Sequence, residues 1–211
     1  MEGKSLWRHS DKIQAPGEGK EVKNLKFDGR YKDDIISGKK KATIRLGRKV
    51  NLKPGEEVLI HAGGYVLGKA RITRVTTKKV SELTDEDARK DGFKSREELL
   101  EALREHYKFV KPDSPATIVE FEMLSVLDKP ILSADYPYEG NNPIEIAELA
   151  LEHLDNLSFE EVALLKLFLK EGSLRKAAMK LGGLNKRYKI REVLRKAYEE
   201  LKKRGIMQPK I

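Results

Sequence analysis

The sequence predicts an α+β protein in which a small β-barrel with inserted helices precedes an all-α domain. Its periodicity is mixed up to about residue 125 and helical throughout after residue 142. The net charge also differs between the two parts of the chain. From Leu164 to Ile211 there are fifteen Lys and Arg against four Asp and Glu, a net charge of +11, whereas the preceding residues carry −2. Such asymmetry points to a polyanionic partner for the last quarter of the chain.

Composition excludes several classes of protein. The chain has 211 residues, of which 39% are hydrophobic, enough for a core in each of two domains. Because cysteine is absent, disulfides, thiolate metal sites and a cysteine nucleophile are excluded. No apolar run is long enough to span a membrane. We therefore expect a cytoplasmic protein without a membrane partner. The histidines show no pairing that would indicate a metal site, and no cofactor is implied: His9, His61, His106 and His153.

Changes in composition and periodicity predict four segments. Residues 1–23 are polar and form an N-terminal extension, in which Trp7 is the one bulky side chain that could pack on a domain. The barrel is expected over residues 24–125, a linker rich in Pro, Gly, Asp, Tyr and Asn over 126–142, and a basic helical domain over 143–211.

The elements of the barrel follow from local patterns. A short helix over residues 31–37 ends at Gly38, and Ala42–Leu46 alternates as a strand does, with Thr43 and Arg45 on one face. Gly63-Gly64 joins two further strands as a hairpin. Capped helices are predicted over 84–90 and 95–107, and a final strand over 117–124. So few short strands are expected to close into a compact barrel.

The helix-to-strand junction in this domain carries a candidate site. Lys40 stands at the junction, and Thr43 and Arg45 project from one strand face. Arg45 can bind a phosphate or a base edge bidentately. Lys40 can neutralise a phosphate, or act as a base if burial and its neighbours Lys39, Lys41 and Arg45 lower its pKa. In the alternative, Arg45 pairs with a core carboxylate and Thr43 reflects only strand propensity.

The same junction has the pattern G-x-K-x-x-T-x-R, and the segments around it also fit a known family. These are Asp33–Gly38 before the motif, then Leu83–Ala88, Asp91-Gly92-Phe93 and Val119-Glu120-Phe121. Over roughly Asn24 to Leu124 the chain resembles the ASCH family, a branch of the PUA-like β-barrels. The resemblance implies a cleft beside the motif that contacts RNA or nucleosides. The candidate nucleic-acid-binding residues at this cleft are Lys39, Lys40, Lys41, Thr43 and Arg45.

The family also implies a possible activity. Some small bacterial members that resemble this domain are amidohydrolases that remove the acetyl group from N4-acetylcytidine, with Lys and Thr at the positions of Lys40 and Thr43. Asp91 stands where those enzymes carry Glu. In that reading the Thr43 hydroxyl attacks the amide, Lys40 deprotonates it and Asp91 handles the proton of the leaving amine or of water. Asp is one methylene shorter, and a misplacement of about 1 Å can cost on the order of a hundredfold in rate.

The rear domain contains four predicted helices. Pro143 begins the first, a capping box at Ser158 the second, Gly172-Ser173 the third, and a long fourth helix follows Gly182-Gly183. Residues 171–182 resemble the first half of a helix-turn-helix unit. The last helix would then present its first half to nucleic acid, with these cations: Lys186, Arg187, Lys189, Arg191 and Arg195. A small helical packing domain with a basic surface is the alternative.

The sequence leaves three functions open. The first is a module that binds nucleic acid, with RNA favoured and DNA possible, through the ASCH cleft and the basic helices. The second is an amidohydrolase acting on acetylated cytidine, free or in RNA. The third is a DNA-binding regulator whose barrel senses a cytidine-like nucleoside. Tyr136 and Tyr138 in the linker could stack on bases, but we expect them to dock the linker instead.

Overall fold

The structure, a computed structural model, describes residues 23–47 and 50–210 in full and the backbone of residues 8 and 9. Trp7 and nearly all of the predicted extension lie outside the described residues. The chain divides into two compact units, which we call the front unit (residues 1–130) and the rear unit (residues 131–211). Among the described residues no helix is long and apolar enough to cross a membrane.

The front unit is built on one sheet. Its strands are β1 (Arg8–His9), β2 (Lys23–Phe27), β3 (Ala42–Leu46), β4 (Glu57–Ala62), β5 (Tyr65–Lys79) and β6 (Pro115–Leu132). In the described part of the chain they pair in the order β1-β6-β5-β4-β2, and β3 pairs with β6 as a sixth strand. The hairpin of β4 and β5 turns at Gly63-Gly64, as predicted.

The sheet is not closed, so the compact closed barrel that the sequence predicted is wrong. β3 lies antiparallel to the first part of β6, with Ala42 opposite Glu120 and Leu46 opposite Ala116. β2 lies parallel to β4 at the other end of the strand order. The two long strands β5 and β6 supply most of the sheet, and within the described residues no ladder joins β2 to β3.

Two helices, α2 (Asp85–Asp91) and α3 (Arg96–His106), cover one side of β3. A shorter helix, α1 (Lys32–Ile36), buries Ile35 in the core of the sheet instead. The alternation of β3 places Ala42, Ile44 and Leu46 in a core with residues of α2 and α3, such as Ala88 and Leu99. A second core fills the sheet itself, with Leu25, Ile60, Ile72 and Phe121 among its buried members. As β3 buries these alternate residues against the helices, its polar side chains are turned away from them.

The rear unit is helical. It consists of α4 (Pro143–His153), α5 (Phe159–Glu171), α6 (Leu174–Lys180) and α7 (Arg187–Lys203). Each predicted cap is present: Asn142, Ser158 and Ser173 accept backbone N–H bonds at the starts of α4, α5 and α6. A 3₁₀ turn, Leu184–Lys186, separates α6 from α7.

The segment expected to be a linker is ordered. β6 continues to Leu132, and Tyr136 and Tyr138 are both buried. The ring of Tyr138 packs on that of Tyr198 in α7, with 6.2 Å between centroids. The buried Asn141 side chain donates to the carbonyl of Gln208 at 3.0 Å. Residues 131–142 are therefore part of the rear unit, and the two tyrosines are docked rather than free to stack on bases.

Candidate functional site

The front unit has a cavity of about 1150 Å³ where β2 and β3 approach each other. Both strands line it, and within the described chain each of them pairs with only one other strand. β3 contributes Thr43 and Arg45, together with Ile44 and Leu46. Other lining residues come from α2, α3 and the segments beside them: Lys40, Asp91, Phe93, Leu103, His106 and Tyr107.

A buried ion pair lies at one side of this cavity. The Lys40 and Asp91 side chains are only 3% and 6% exposed, and the Lys40 ammonium donates to the Asp91 carboxylate. It also donates to the Asp91 backbone carbonyl, at 2.6 Å. The second carboxylate oxygen of Asp91 accepts the backbone N–H of Ile44 at 3.0 Å. Asp91 therefore fixes both the Lys40 side chain and the strand that carries Thr43 and Arg45.

Local sequence explains how Asp91 reaches Lys40. α2 begins with a capping box between Thr84 and Asp87, and it ends at Gly92, whose φ of 97° is readily accessible only to glycine. Asp91 is thus the last residue of the helix. The N–H of Lys41 donates to the Lys90 carbonyl at 2.7 Å, which ties the strand entry to the helix end. The pairing of Lys40 with Asp91 follows from this junction.

Aromatic rings surround the Lys40 ammonium. The Nζ atom lies 4.5 Å from the ring centroid of Tyr31, 5.6 Å from that of Phe93 and 5.8 Å from that of Phe27. These distances are within the range of cation–π attraction. Ring faces can also stack on a nucleobase. The cavity thus combines charged groups with aromatic surface.

Burial, followed by the nearby positive charge of Arg45, lowers the pKa of Lys40 to about 7. Burial removes water from the Lys40 amine and so favours its neutral form, whereas the Asp91 carboxylate in contact with it favours the ammonium. With a pKa of about 7, part of the Lys40 population is neutral near neutral pH.

Thr43 and Arg45 differ in their bonding. No described residue hydrogen-bonds to the Thr43 hydroxyl, although the residue is buried and lines the cavity. The Arg45 guanidinium donates to the carbonyl of Lys26 at 2.5 Å and lies 5.7 Å from the ring centroid of Phe27. Arg45 therefore bridges β3 and β2 across the open side of the sheet, and it pairs with no carboxylate among the described residues.

The structure does not bring all the predicted front residues together. Lys39 is exposed and pairs with Asp34 at 3.1 Å. Lys41 is exposed beside a smaller groove that also includes Glu120 and Met123. Lys40, Thr43, Arg45 and Asp91 line the cavity, whereas Lys39 and Lys41 do not.

The rear cations are similarly divided. Arg191 and Arg195 are exposed on α7 and form no ion pair within the described residues. Lys189 pairs with Glu160 at 3.2 Å. Lys186 and Arg187 are half-buried at the start of α7, and the Arg187 Nε donates to the Leu184 carbonyl at 3.0 Å.

Sequence reasoning missed the aromatic residues of the site. Of the three rings around Lys40, only Phe93 belongs to a segment that the sequence comparison singled out, Asp91-Gly92-Phe93. A signal was available, because Phe93 follows Asp91-Gly92 directly. No group of three or more metal-ligating side chains exists among the described residues.

The fold and site define a mixed α+β domain with an open sheet and a charged, aromatic cavity beside its first strands. Residues 22–125 match the family model of the ASCH domain, so this part of the chain is an ASCH domain.

Solved structures of low sequence identity resemble the chain. An ASCH domain from Lactobacillus crispatus JV V101 is 18% identical over 44% of this chain and 69% of that one, with a TM-score of 0.41. An ASCH protein from Zymomonas mobilis is 18% identical over 64% and 79%, with a TM-score of 0.43. A protein from Enterococcus faecalis V583 is 18% identical over 53% and 86%, with a TM-score of 0.43. No curated protein matches the chain.

Proposed function

We propose that the protein binds RNA, with a base in the ASCH cavity and the phosphate backbone held by Arg45 and by the basic helices of the rear unit. The observation that carries this proposal is the 1150 Å³ cavity in which Lys40, Thr43 and Arg45 share a wall with three aromatic rings. An open cavity lined by aromatic side chains accepts an unstacked base, which a single strand offers and a duplex does not.

The groups of the cavity suit the parts of a nucleotide. Phe27, Tyr31 and Phe93 line the cavity, and a base can stack on the part of their ring surface that Lys40 does not cover. The free Thr43 hydroxyl can donate to or accept from a base edge. One guanidinium nitrogen of Arg45 donates to the Lys26 carbonyl, so the other N–H groups of the guanidinium can donate to a phosphate.

The rear unit offers a second contact surface. Tyr188 is 57% exposed, and the spacing of Tyr188, Arg191 and Arg195 puts all three on one side of α7. An exposed aromatic ring flanked by two unpaired arginines suits a nucleic-acid strand. We propose that this surface is the second nucleic-acid-binding surface. This proposal does not require α6 and α7 to form a helix-turn-helix. Two weak contacts in one chain reinforce each other through effective concentration.

Binding of single-stranded RNA is expected to weaken steeply with salt, and the rear arginines are expected to contribute to that slope. Replacing both Arg191 and Arg195 by alanine should reduce the slope of log K against log salt by about 2, since each lost phosphate contact removes about one unit. Fluorescence anisotropy at salt concentrations from about 50 to 200 mM measures the slope.

Lys196→Ala is the control on the same helix, because Lys196 lies on α7 but is already paired with Glu161 at 2.7 Å. It should change the slope little. Tyr31→Ala should weaken binding with little change of slope, because it removes stacking rather than charge. The proposal is wrong if the protein shows no binding to single-stranded RNA at low salt. If the protein instead bound duplex DNA more tightly than RNA, and the double arginine variant lost this binding, the result would favour a DNA-binding regulator.

The amidohydrolase remains a second candidate because a free Thr43 hydroxyl and a lysine of lowered pKa line the same cavity. The Thr43 oxygen would attack the acetyl carbonyl of N4-acetylcytidine as its proton passes to the neutral Lys40 amine. The C–N bond then breaks as that proton is delivered to the leaving amine. Water hydrolyses the resulting ester, releasing acetate and restoring Thr43. Asp91 would hold Lys40 in place, since both its carboxylate oxygens are occupied.

If this activity exists, acetate release should increase as the pH rises through about 7. The general base is the neutral amine of Lys40, and its fraction grows above its pKa of about 7. Acetate release measured from pH 5 to 9 should therefore rise and then level off, and it should be lost in Thr43→Val and Lys40→Met. Turnover that persists in both variants, or that falls across this range, would exclude the mechanism.

A further inference from the structure

A second feature of the front unit is an exposed aromatic residue next to the cavity. Phe109 is 73% exposed. It lies two residues after Tyr107, which lines the cavity. Since consecutive Cα atoms are about 3.8 Å apart, the Cα atoms of Phe109 and Tyr107 lie within about 7.6 Å of each other. The exposed ring is thus carried two residues along the chain from a side chain that lines the cavity.

The segment that carries Phe109 is held in place rather than frayed. Val110 packs against the core beneath α3. The N–H of Val80 donates to the Ser114 carbonyl at 3.0 Å, and that of Ser81 to the Pro112 carbonyl at 2.9 Å. Because Val110 is half-buried and residues 112 and 114 are hydrogen-bonded to Ser81 and Val80, the segment is held in place while the Phe109 ring is exposed to solvent. A large apolar side chain so displayed is a feature that binding surfaces use.

The surroundings of Phe109 are cationic. Lys108 and Lys111 are exposed on either side, and the Lys108 ammonium lies 5.4 Å from the centroid of the Phe109 ring. Asp113 is the one acidic residue between Tyr107 and Ser114. An exposed ring with one lysine ammonium beside it and a second exposed lysine two residues along the chain is complementary to a base with its neighbouring phosphates. It is less suited to an apolar protein surface, which would leave both lysines desolvated.

We infer that Phe109, with Lys108 and Lys111, is a stacking platform for the nucleotide next to the one in the cavity, and that the ligand is a single-stranded polynucleotide rather than a free nucleoside. This inference rests on the proposed function. It assigns the ligand class of the same site, because a free nucleoside would leave the platform unused. The strand runs from the cavity past Tyr107 onto Phe109.

The test compares ligands of increasing length in the full chain. Binding of cytidine monophosphate and of single-stranded cytidine tetranucleotide RNA is measured for the wild type and Phe109→Ala. The wild type should bind the tetranucleotide more tightly, and Phe109→Ala should reduce that advantage about tenfold, since stacking of one base is worth about 1–3 kcal/mol. Replacing Lys108 and Lys111 by glutamine should reduce the affinity for the tetranucleotide further. It should also reduce the slope of log K against log salt.

Phe159→Ala is the matched control. Phe159 is 92% exposed but lies beside Glu160 and Glu161 at the start of α5, where a phosphate would be repelled. Phe159→Ala should leave the ratio of tetranucleotide affinity to mononucleotide affinity unchanged. The platform would be overturned if Tyr31→Ala weakened binding but Phe109→Ala had no effect. It would also be overturned if Tyr31→Ala weakened binding and the two phenylalanine variants had equal effects. If neither ligand bound, or if Tyr31→Ala had no effect, the proposed function itself would fail, and the platform with it.

Discussion

Replacing Asp91 by alanine is expected to lower the free energy of unfolding of the front unit by about 3–5 kcal/mol. The substitution leaves the Lys40 ammonium buried without its partner and the Ile44 N–H without an acceptor. Removing one member of a buried pair costs more than removing both, because the remaining charge keeps its desolvation penalty. Urea denaturation followed by circular dichroism measures the loss. Hydrogen exchange of the β4 amides assigns it to the front unit.

The double variant Lys40→Met/Asp91→Ala separates this cause from simple loss of packing. It removes both charges and should be more stable than Asp91→Ala alone. Glu105→Ala serves as the exposed control, because its ion pair with Arg30 is open to water and contributes little. Equal stability of the single and double variants would show that the buried charge does not determine the loss.

Gly68→Ala should destabilise the front unit by about 3 kcal/mol or more. A Cβ atom at position 68 would lie 2.0 Å from the backbone carbonyl oxygen of Ser125 and 3.0 Å from the Cα of Val126. Overpacking a core costs about 1–3 kcal/mol even when side chains can rotate away. Here the obstacle is the backbone of β6, which would have to move. The same denaturation and exchange measurements apply.

Gly64→Ala is the control for this prediction. Gly64 has a φ of +87°, and a Cβ atom there would meet no heavy atom within 4 Å. Its substitution tests left-handed backbone strain alone, which costs about 1–2 kcal/mol. The close approach of β5 to β6 predicts that Gly68→Ala is clearly the more damaging of the two. The reverse order would mean that β6 can shift at low cost.

Together the two sites show how the front unit supports its cavity. Asp91 secures the entry to β3, and Gly68 lets β6 pass close over β5. Neither residue offers an unused polar group to the cavity: both carboxylate oxygens of Asp91 are occupied within the protein. We expect their variants to lose binding because the front unit unfolds more readily, whereas Tyr31→Ala should lose binding in a folded protein.

The sequence alone predicted the local elements well. The capping boxes at Thr84 and Ser158, the hairpin at Gly63-Gly64 and the alternation of β3 all depend on residues a few positions apart. Such signals are readable because one turn or one pleat contains every group involved. The resemblance to the ASCH family likewise depended on short segments in a fixed order.

The tertiary structure alone decided how these elements form a site. Lys40 and Asp91 are 51 residues apart, and their pairing depends on how α2 ends beside β3. The same packing encloses Lys40 in aromatic rings while Lys39 and Lys41 on either side remain exposed. It also leaves the sheet open between β2 and β3, where the sequence predicted closure. The physical reason is that periodicity and caps are set by neighbours along the chain, whereas burial, cavity shape and charge pairing are set by residues that only folding brings together.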